Sequence, residues 1–190
     1  MRSRRLWMPW LAVVSLIACG GRAEPSADTE EAPADPAVVS EVPGPPAAEL
    51  LPNGRLLDDG LLVGGQPSLE QLRRLRELGY RTVVDLRTEG EGGPAPEEVE
   101  ALGLDFVRLA VDGAADISEE KARTLDVVLS QVDAPVVLHC GSGNRVGALL
   151  ALRAHYVDGE GAEESLRLGE EAGLTGLEPV VRERLGLPRE

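Results

Sequence analysis

Pro135-Val136-Val137-Leu138-His139-Cys140-Gly141-Ser142-Gly143-Asn144-Arg145-Val146-Gly147 is the stretch whose reading decides the fold. The apolar, β-branched run over 136–138 reads as a buried strand, and Gly141 and Gly143 punctuate the turn after it. From Arg145 onward, Val146, Leu149, Leu150, Leu152 and Ala154 suggest a helix. A turn that enters a helix points several unpaired N–H groups at one spot, and the helix dipole makes that spot favour negative charge. A thiol placed there ionises more readily, and the thiolate is the nucleophile. Arg145 adds a planar, two-pronged grip on a tetrahedral oxyanion. Cys140 and Arg145 are therefore the candidate catalytic residues, and the backbone from Gly141, Ser142, Gly143 and Asn144 to Arg145 is the candidate anion cradle.

Outward from this loop the chain alternates strand-like and helix-like segments. Residues 60–65 read as a short strand ending in glycines, and Ser68 caps a helix bearing Leu69, Leu72, Leu75 and Leu78, with Gly79 as its stop. A second strand is expected over 81–86, a loop over 89–96, a short helix over 96–102 and a third strand over 104–111. The loop 112–116 leads to Ser118, which caps a helix reaching about Val132 with Glu119 and Glu120 in its first turn, where the dipole favours them. Helices over 144–157, 162–172 and 177–185 follow the Cys140 strand. This alternation predicts an α/β fold, a mainly parallel central sheet flanked by helices with the Cys-bearing anion loop between strand and helix. Ligands of such sheets bind beyond the carboxyl ends of the strands, where Cys140 falls.

Residues 1–19 stand apart from the domain. Arg2, Arg4 and Arg5 form a basic start, and an apolar stretch follows that is too short for a comfortable spanning helix. It ends in Leu16-Ile17-Ala18-Cys19, which resembles the bacterial lipobox and marks Cys19 for lipidation. The expected location is the cell envelope, lipid-anchored, with Gly20 pointing to the periplasmic side of the outer membrane. Residues 20–50 are rich in Ala, Pro and acidic side chains and read as a disordered acidic tether, because they carry too little apolar surface to offset ordering entropy. Residues 51–190 form the single folded domain.

The net charge of −14 argues against a nucleic-acid partner, so an anion site must be a local positive island. With Cys19 acylated, Cys140 is the one free thiol of the mature chain. His139 and His155 are the only histidines, and strand neighbours such as His139 and Cys140 face opposite ways, so neither a metal set nor a cofactor is implied.

These residues carry a likeness. His139-Cys140, Gly143 and Arg145 resemble the signature loop of cysteine-dependent protein phosphatases of the dual-specificity kind. The wider chain, over about 58–160, is similar to the bacterial beta-lactamase-hydrolase-like phosphatase-like family, through Gly65-Gln66-Pro67-Ser68 and the Gly79-Tyr80-Arg81-Thr82-Val83-Val84-Asp85-Leu86-Arg87 strand segment. Two features depart from the phosphatase signature: four residues separate Cys140 from Arg145, one fewer than usual, and Val146 stands where a Ser or Thr is usual. The shorter loop matches the length of rhodanese-type sulfurtransferase loops, and Cys140-Gly141-Ser142-Gly143 resembles the start of the mercaptopyruvate sulfurtransferase loop.

The phosphatase resemblance implies a phosphomonoester substrate, a phosphocysteine at Cys140, and a general acid on the loop after the third strand: Asp112 first, Asp116 second. It gives His139 the role of orienting the loop. Arg87, at its strand end, either faces the same edge and widens the positive island or pairs with Glu89 or Glu91, and Ser142 either bonds the thiolate or fills the turn. The sulfurtransferase resemblance implies instead a sulfane-sulfur donor and a Cys140 persulfide, with no general acid. A third reading is a non-catalytic module that binds anions or partners at the envelope. The membrane is reached only through the N-terminal lipid.

Overall fold

Alternating apolar strands and capped helices give one central sheet. The structure, a computed structural model, describes residues 45–57, 60–132 and 134–189, all within the unit Val42–Glu190. Strands β1 (Arg55–Leu56), β2 (Leu61–Gly64), β3 (Thr82–Asp85), β4 (Asp105–Arg108) and β5 (Val136–His139) lie in the order β1-β2-β5-β3-β4. β2, β5, β3 and β4 run parallel, and β1 joins the edge antiparallel to β2. The central strands β3 and β5 are buried at every residue, which is why they read as continuous apolar runs rather than alternating ones.

Each face of the sheet is covered by helices. Leu62, Val83 and Val137 point to one face, where they pack with Leu50 of α1 (Ala47–Leu50), Leu72 and Leu75 of α2 (Leu69–Glu77) and Val99 of α3 (Pro96–Glu100). Their neighbours Val63, Val84 and Leu138 point to the other, against Leu125 of α4 (Glu119–Ser130), Leu149 and Leu152 of α5 (Asn144–Tyr156), Leu166 of α6 (Ala162–Glu171) and Val181 of α7 (Glu178–Leu185). The two-residue period of the strands sorts these sets. Ser68 and Gln71 close a reciprocal capping box on α2, with bonds of 3.2 and 2.9 Å, and the Ser118 hydroxyl accepts the Lys121 N–H at 3.2 Å to start α4.

Helix α5 is buried along most of its length because α6 approaches it closely at Gly147. A β-carbon there would lie 2.1 Å from the Leu174 nitrogen and 2.5 Å from the Gly169 oxygen, both backbone atoms, so only glycine admits this approach.

The structure amends one boundary. Residues 47–50, within the stretch expected to be tether, form a helical turn, and Leu50 is only 6% exposed in the α2 cluster. Its Ala and Pro neighbours hide one anchoring Leu in a composition that otherwise reads as unstructured. The expected leader over 1–19, the lipidation site Cys19 and the tether up to residue 44 lie outside the described residues. Among the described residues no helix is long and apolar enough to cross a membrane.

Candidate active site

The parallel strands deliver Cys140 to their carboxyl edge, and flanking segments grip the loop there. Cys140 N–H donates to Gly64 O at 3.2 Å, Leu86 N–H to His139 O at 2.9 Å, Gln66 N–H to Gly141 O at 3.3 Å, and Asn53 Nδ2 to Ser142 O at 3.2 Å. Gly143 takes φ +97° at the N-cap of α5, a left-handed conformation that suits glycine and turns the chain into the helix. Its N–H then donates to Cys140 Sγ at 3.1 Å. Cys140 is 1% exposed and sits at the N-terminal end of α5, where free N–H groups and the helix dipole favour an anion.

Arg145, one residue inside α5, returns its guanidinium to the sulfur side of the loop. Nη1 donates to Val111 O at 3.0 Å and to Glu91 Oε1 at 2.7 Å, while Nη2 donates to Glu91 Oε2. The hydrogen bonds from Arg145 hold the Glu91 carboxyl down to about 2, against a burial effect that raises it, with help from Thr88. In return Glu91, and after it Cys140, stabilise the charged guanidinium and raise its proton affinity, burial opposing them. The Val111 contact brings the β4–α4 connection alongside Arg145, so exposed Asp112 follows immediately after a residue that touches the guanidinium. Asp116 is otherwise engaged: its Oδ2 accepts the Asp112 N–H at 2.8 Å and lies 3.8 Å from Lys121 Nζ.

A buried polar row supports the loop from the opposite face. The strand registers align Gly64, His139, Asp85 and Arg108. Asp85 is fully buried and accepts from Arg87 three times, at Oδ1 from the backbone N–H and Nε, both 2.9 Å, and at Oδ2 from Nη2 at 2.8 Å. Arg108 Nη2 stands 3.5 Å from the same carboxylate. Burial raises the Asp85 proton affinity, but Arg87 and His139 outweigh it and the net shift is downward. His139 Nδ1 lies 3.4 Å from Cys140 O and 3.7 Å from Asp85 Oδ1. Burial, only partly offset by Asp85, pushes its imidazole down to about 4, so it is neutral at pH 7 and packs beneath the loop.

Several sequence expectations change here. Arg87 neither faces the mouth nor pairs with Glu89 or Glu91: it is 2% exposed and locked on Asp85, because residues i and i+2 at a strand share one face. The hydrogen bond to Cys140 Sγ comes from Gly143 N–H rather than a Ser142 hydroxyl, and Ser142 is exposed. The Asn144 side chain turns away from the sulfur, its Oδ1 accepting Thr175 N–H at 2.8 Å and Leu177 N–H at 3.2 Å, which fastens the loop to the α6–α7 connection. The positive island is largely cancelled, with Glu91 facing Arg145 and Asp85 facing Arg87. Glu91, which the sequence suggested only as a partner for Arg87, and Asp85 are the two site residues that sequence reading missed. Among the described residues no group of three or more His, Cys, Asp or Glu is placed to hold a metal ion. A cavity of about 720 Å³ lies at the far end of the strands, lined by residues such as Gly60, Val136 and Arg153, and none of the candidate site residues lines it.

Comparison with known proteins bears on the fold and the family. The family model described as DSP-PTPase phosphatase fused to NAD+ kinase matches residues 55–176. A beta-lactamase hydrolase-like protein of Xylella fastidiosa is 28% identical over 109 residues, covering 54% of this chain and 25% of that protein. The chain spans about a quarter of the length of the curated relatives it matches. Among solved structures, a candidate phosphatase from Neisseria meningitidis superposes with a TM-score of 0.58 at 24% identity, over 70% of this chain and 95% of that one. Tk-PTP in its active form gives 0.56 at 18% identity, over 71% and 97%. These likenesses show the shared phosphatase fold, and the family match over more than half of the residues shows the lineage: this chain belongs to the cysteine-dependent phosphatase-like superfamily, in the family of DSP-PTPase phosphatase domains named for their fusion to NAD+ kinase.

Proposed function

We propose that the domain hydrolyses a phosphomonoester through a phosphocysteine at Cys140. The observation that carries this reading is the convergence of Cys140 Sγ, the Gly143 N–H and the Arg145 guanidinium at the N-terminal end of α5, with the Asp112 loop against Arg145. The Cys140 thiolate attacks phosphorus, forming an S–P bond as the P–O bond to the leaving group breaks. Asp112 gives its proton to the departing oxygen. The Asp112 carboxylate then takes a proton from water as that water attacks phosphorus. The S–P bond breaks, the thiolate returns and inorganic phosphate leaves. Backbone N–H groups over 141–145 and Arg145 hold the equatorial oxygens. His139 and Arg87 touch no substrate in this scheme and support the loop from below.

Asp112→Asn tests the acid. The expected loss is about two to three orders of magnitude in kcat/KM on an alkyl or phenyl phosphate, with little change on a dinitrophenyl phosphate, whose leaving group needs no proton. An equal loss on both substrates would remove Asp112 from this role.

A second reading draws on the short loop and on Val146, which is fully buried where a hydroxyl would assist breakdown of the phosphoenzyme. In it the same thiolate takes sulfane sulfur from a donor whose anionic end Arg145 binds, and Asp112 is dispensable. For the whole chain we also propose acylation at Cys19 and an envelope location, on the basic start, short apolar stretch and Ala18-Cys19 junction. Labelled palmitate incorporated by the full chain but not by its Cys19→Ala variant supports this, and an unlabelled full chain contradicts it.

A further inference from the structure

Two peptide planes of the anion cradle are held from outside. A trans peptide sets its C=O and the N–H that follows on opposite sides. A partner that takes the carbonyl outward therefore aims the N–H inward. The Ser142 carbonyl accepts from Asn53 Nδ2 at 3.2 Å, and the N–H of the same plane, that of Gly143, donates to Cys140 Sγ at 3.1 Å. The plane before it is held in the same way, its Gly141 carbonyl accepting the Gln66 N–H at 3.3 Å. Gly141 and Gly143 flank Ser142, and glycine lets a peptide plane turn over at little steric cost. The orientation of the Ser142–Gly143 plane thus depends on what holds its carbonyl.

Asn53 is carried on a braced turn between α1 and β1. Its φ of +53° is left-handed, alone among the described non-glycine residues, and Asn tolerates that conformation better than most side chains. Its neighbours are fastened on both sides. Leu51 is fully buried, and the Pro52 carbonyl accepts the Gly65 N–H at 2.7 Å. The carbonyl of Asn53 itself accepts Arg55 Nη1 at 3.2 Å. Gly54 packs so closely that a β-carbon there would lie 2.1 Å from the Ala47 oxygen.

We propose that Asn53 is a positioning residue for the anion cradle: its amide holds the Ser142 carbonyl outward so that the Gly143 N–H faces the anion site and the Cys140 sulfur. Turned over, the same plane would set a carbonyl oxygen against the anion and the thiolate where a donor had stood. Asn53 acts through the loop and touches no substrate. The turnover arm of its test rests on the phosphatase reading, whereas the anion-binding arm does not.

The test compares the full chain with Asn53→Gly and Asn53→Ala. Both drop the amide, but Gly takes the left-handed turn freely and Ala strains it. Two quantities are read beside Tm: the concentration of inorganic phosphate that half-protects Cys140 from iodoacetamide, and kcat/KM on an aryl phosphate. The half-protecting concentration should rise by about three- to tenfold in both variants, the range that one lost hydrogen bond spans. A similar factor should be lost from kcat/KM. Tm should drop only in Asn53→Ala, so that cradle alignment and turn stability separate. Phosphate protection of Asn53→Gly equal to the parent's would overturn the proposal, whatever Asn53→Ala does. A loss of protection that follows Tm, larger in Asn53→Ala than in Asn53→Gly, would overturn it as well. A parent that phosphate protects but that has no turnover would defeat the phosphatase reading instead, and protection would then decide for Asn53 alone. A parent that phosphate does not protect would refute the cradle and this proposal together.

Discussion

Replacing Asp85 by Ala lowers the unfolding free energy by about 3–5 kcal/mol, the usual effect of leaving buried charge without its partner. The carboxylate is fully buried and takes three hydrogen bonds from Arg87, which is itself 2% exposed, with Arg108 Nη2 a further 3.5 Å away. Without it, Arg87 cannot reach water, and Arg108, whose buried Nε has no hydrogen-bond partner, loses its nearest anion. In a domain of this size the loss corresponds to a drop of roughly 10–17 °C in Tm. Asp85→Asn keeps acceptor capacity without charge and should fall between parent and Ala. Thermal unfolding of the three proteins reads the order directly. A change below about 1 kcal/mol for Asp85→Ala, the range of an exposed pair, would mean that water reaches this row.

Arg145→Lys should lower kcat/KM on an aryl phosphate by about two to three orders of magnitude. Lysine keeps the charge but not the planar fork, so it cannot meet Val111 O and both Glu91 oxygens while offering two further donors to an oxyanion. It therefore separates geometry from charge. Stability should change little, because the Arg145–Glu91 pair lies at the partly exposed mouth. Michaelis–Menten kinetics with a parallel Tm measurement would expose the alternative: a loss below tenfold at unchanged Tm would mean that charge alone is enough there.

The sequence made the scaffold legible because its signals are local. Three apolar runs bounded by turns became the central strands β2, β3 and β5, and Ser68 and Ser118 cap the helices expected of them. Cys140, Gly143 and Arg145 are close in sequence and share one loop, so their convergence was readable too. The two-residue strand β1 and the single turn α1 were not, being shorter than any period that could mark them. Glu91 reaches Arg145 across 54 residues, and no local pattern carries such a contact. The Asp85–Arg87 pair was within reach of strand geometry. Glu89 and Glu91 after Arg87 are equally local acidic partners in the sequence, and only the strand geometry selects Asp85, two residues before Arg87 and on the same face. Asn144 likewise sits in the expected loop, but its side chain serves the α6–α7 connection, which only the tertiary fold brings near.

The most direct test of the chemistry sets the full chain beside its Cys140→Ser variant on an aryl phosphate, and on thiosulfate with cyanide. A nucleophile at Cys140 supported by Arg145 and Asp112 should release phosphate from the parent and none from the variant. Acid-quenched parent protein should carry one phosphoryl group on Cys140. Cys140-dependent thiocyanate without phosphate release would contradict the phosphatase reading and assign the short loop to sulfur transfer. Silence on both substrates would leave an anion-binding module.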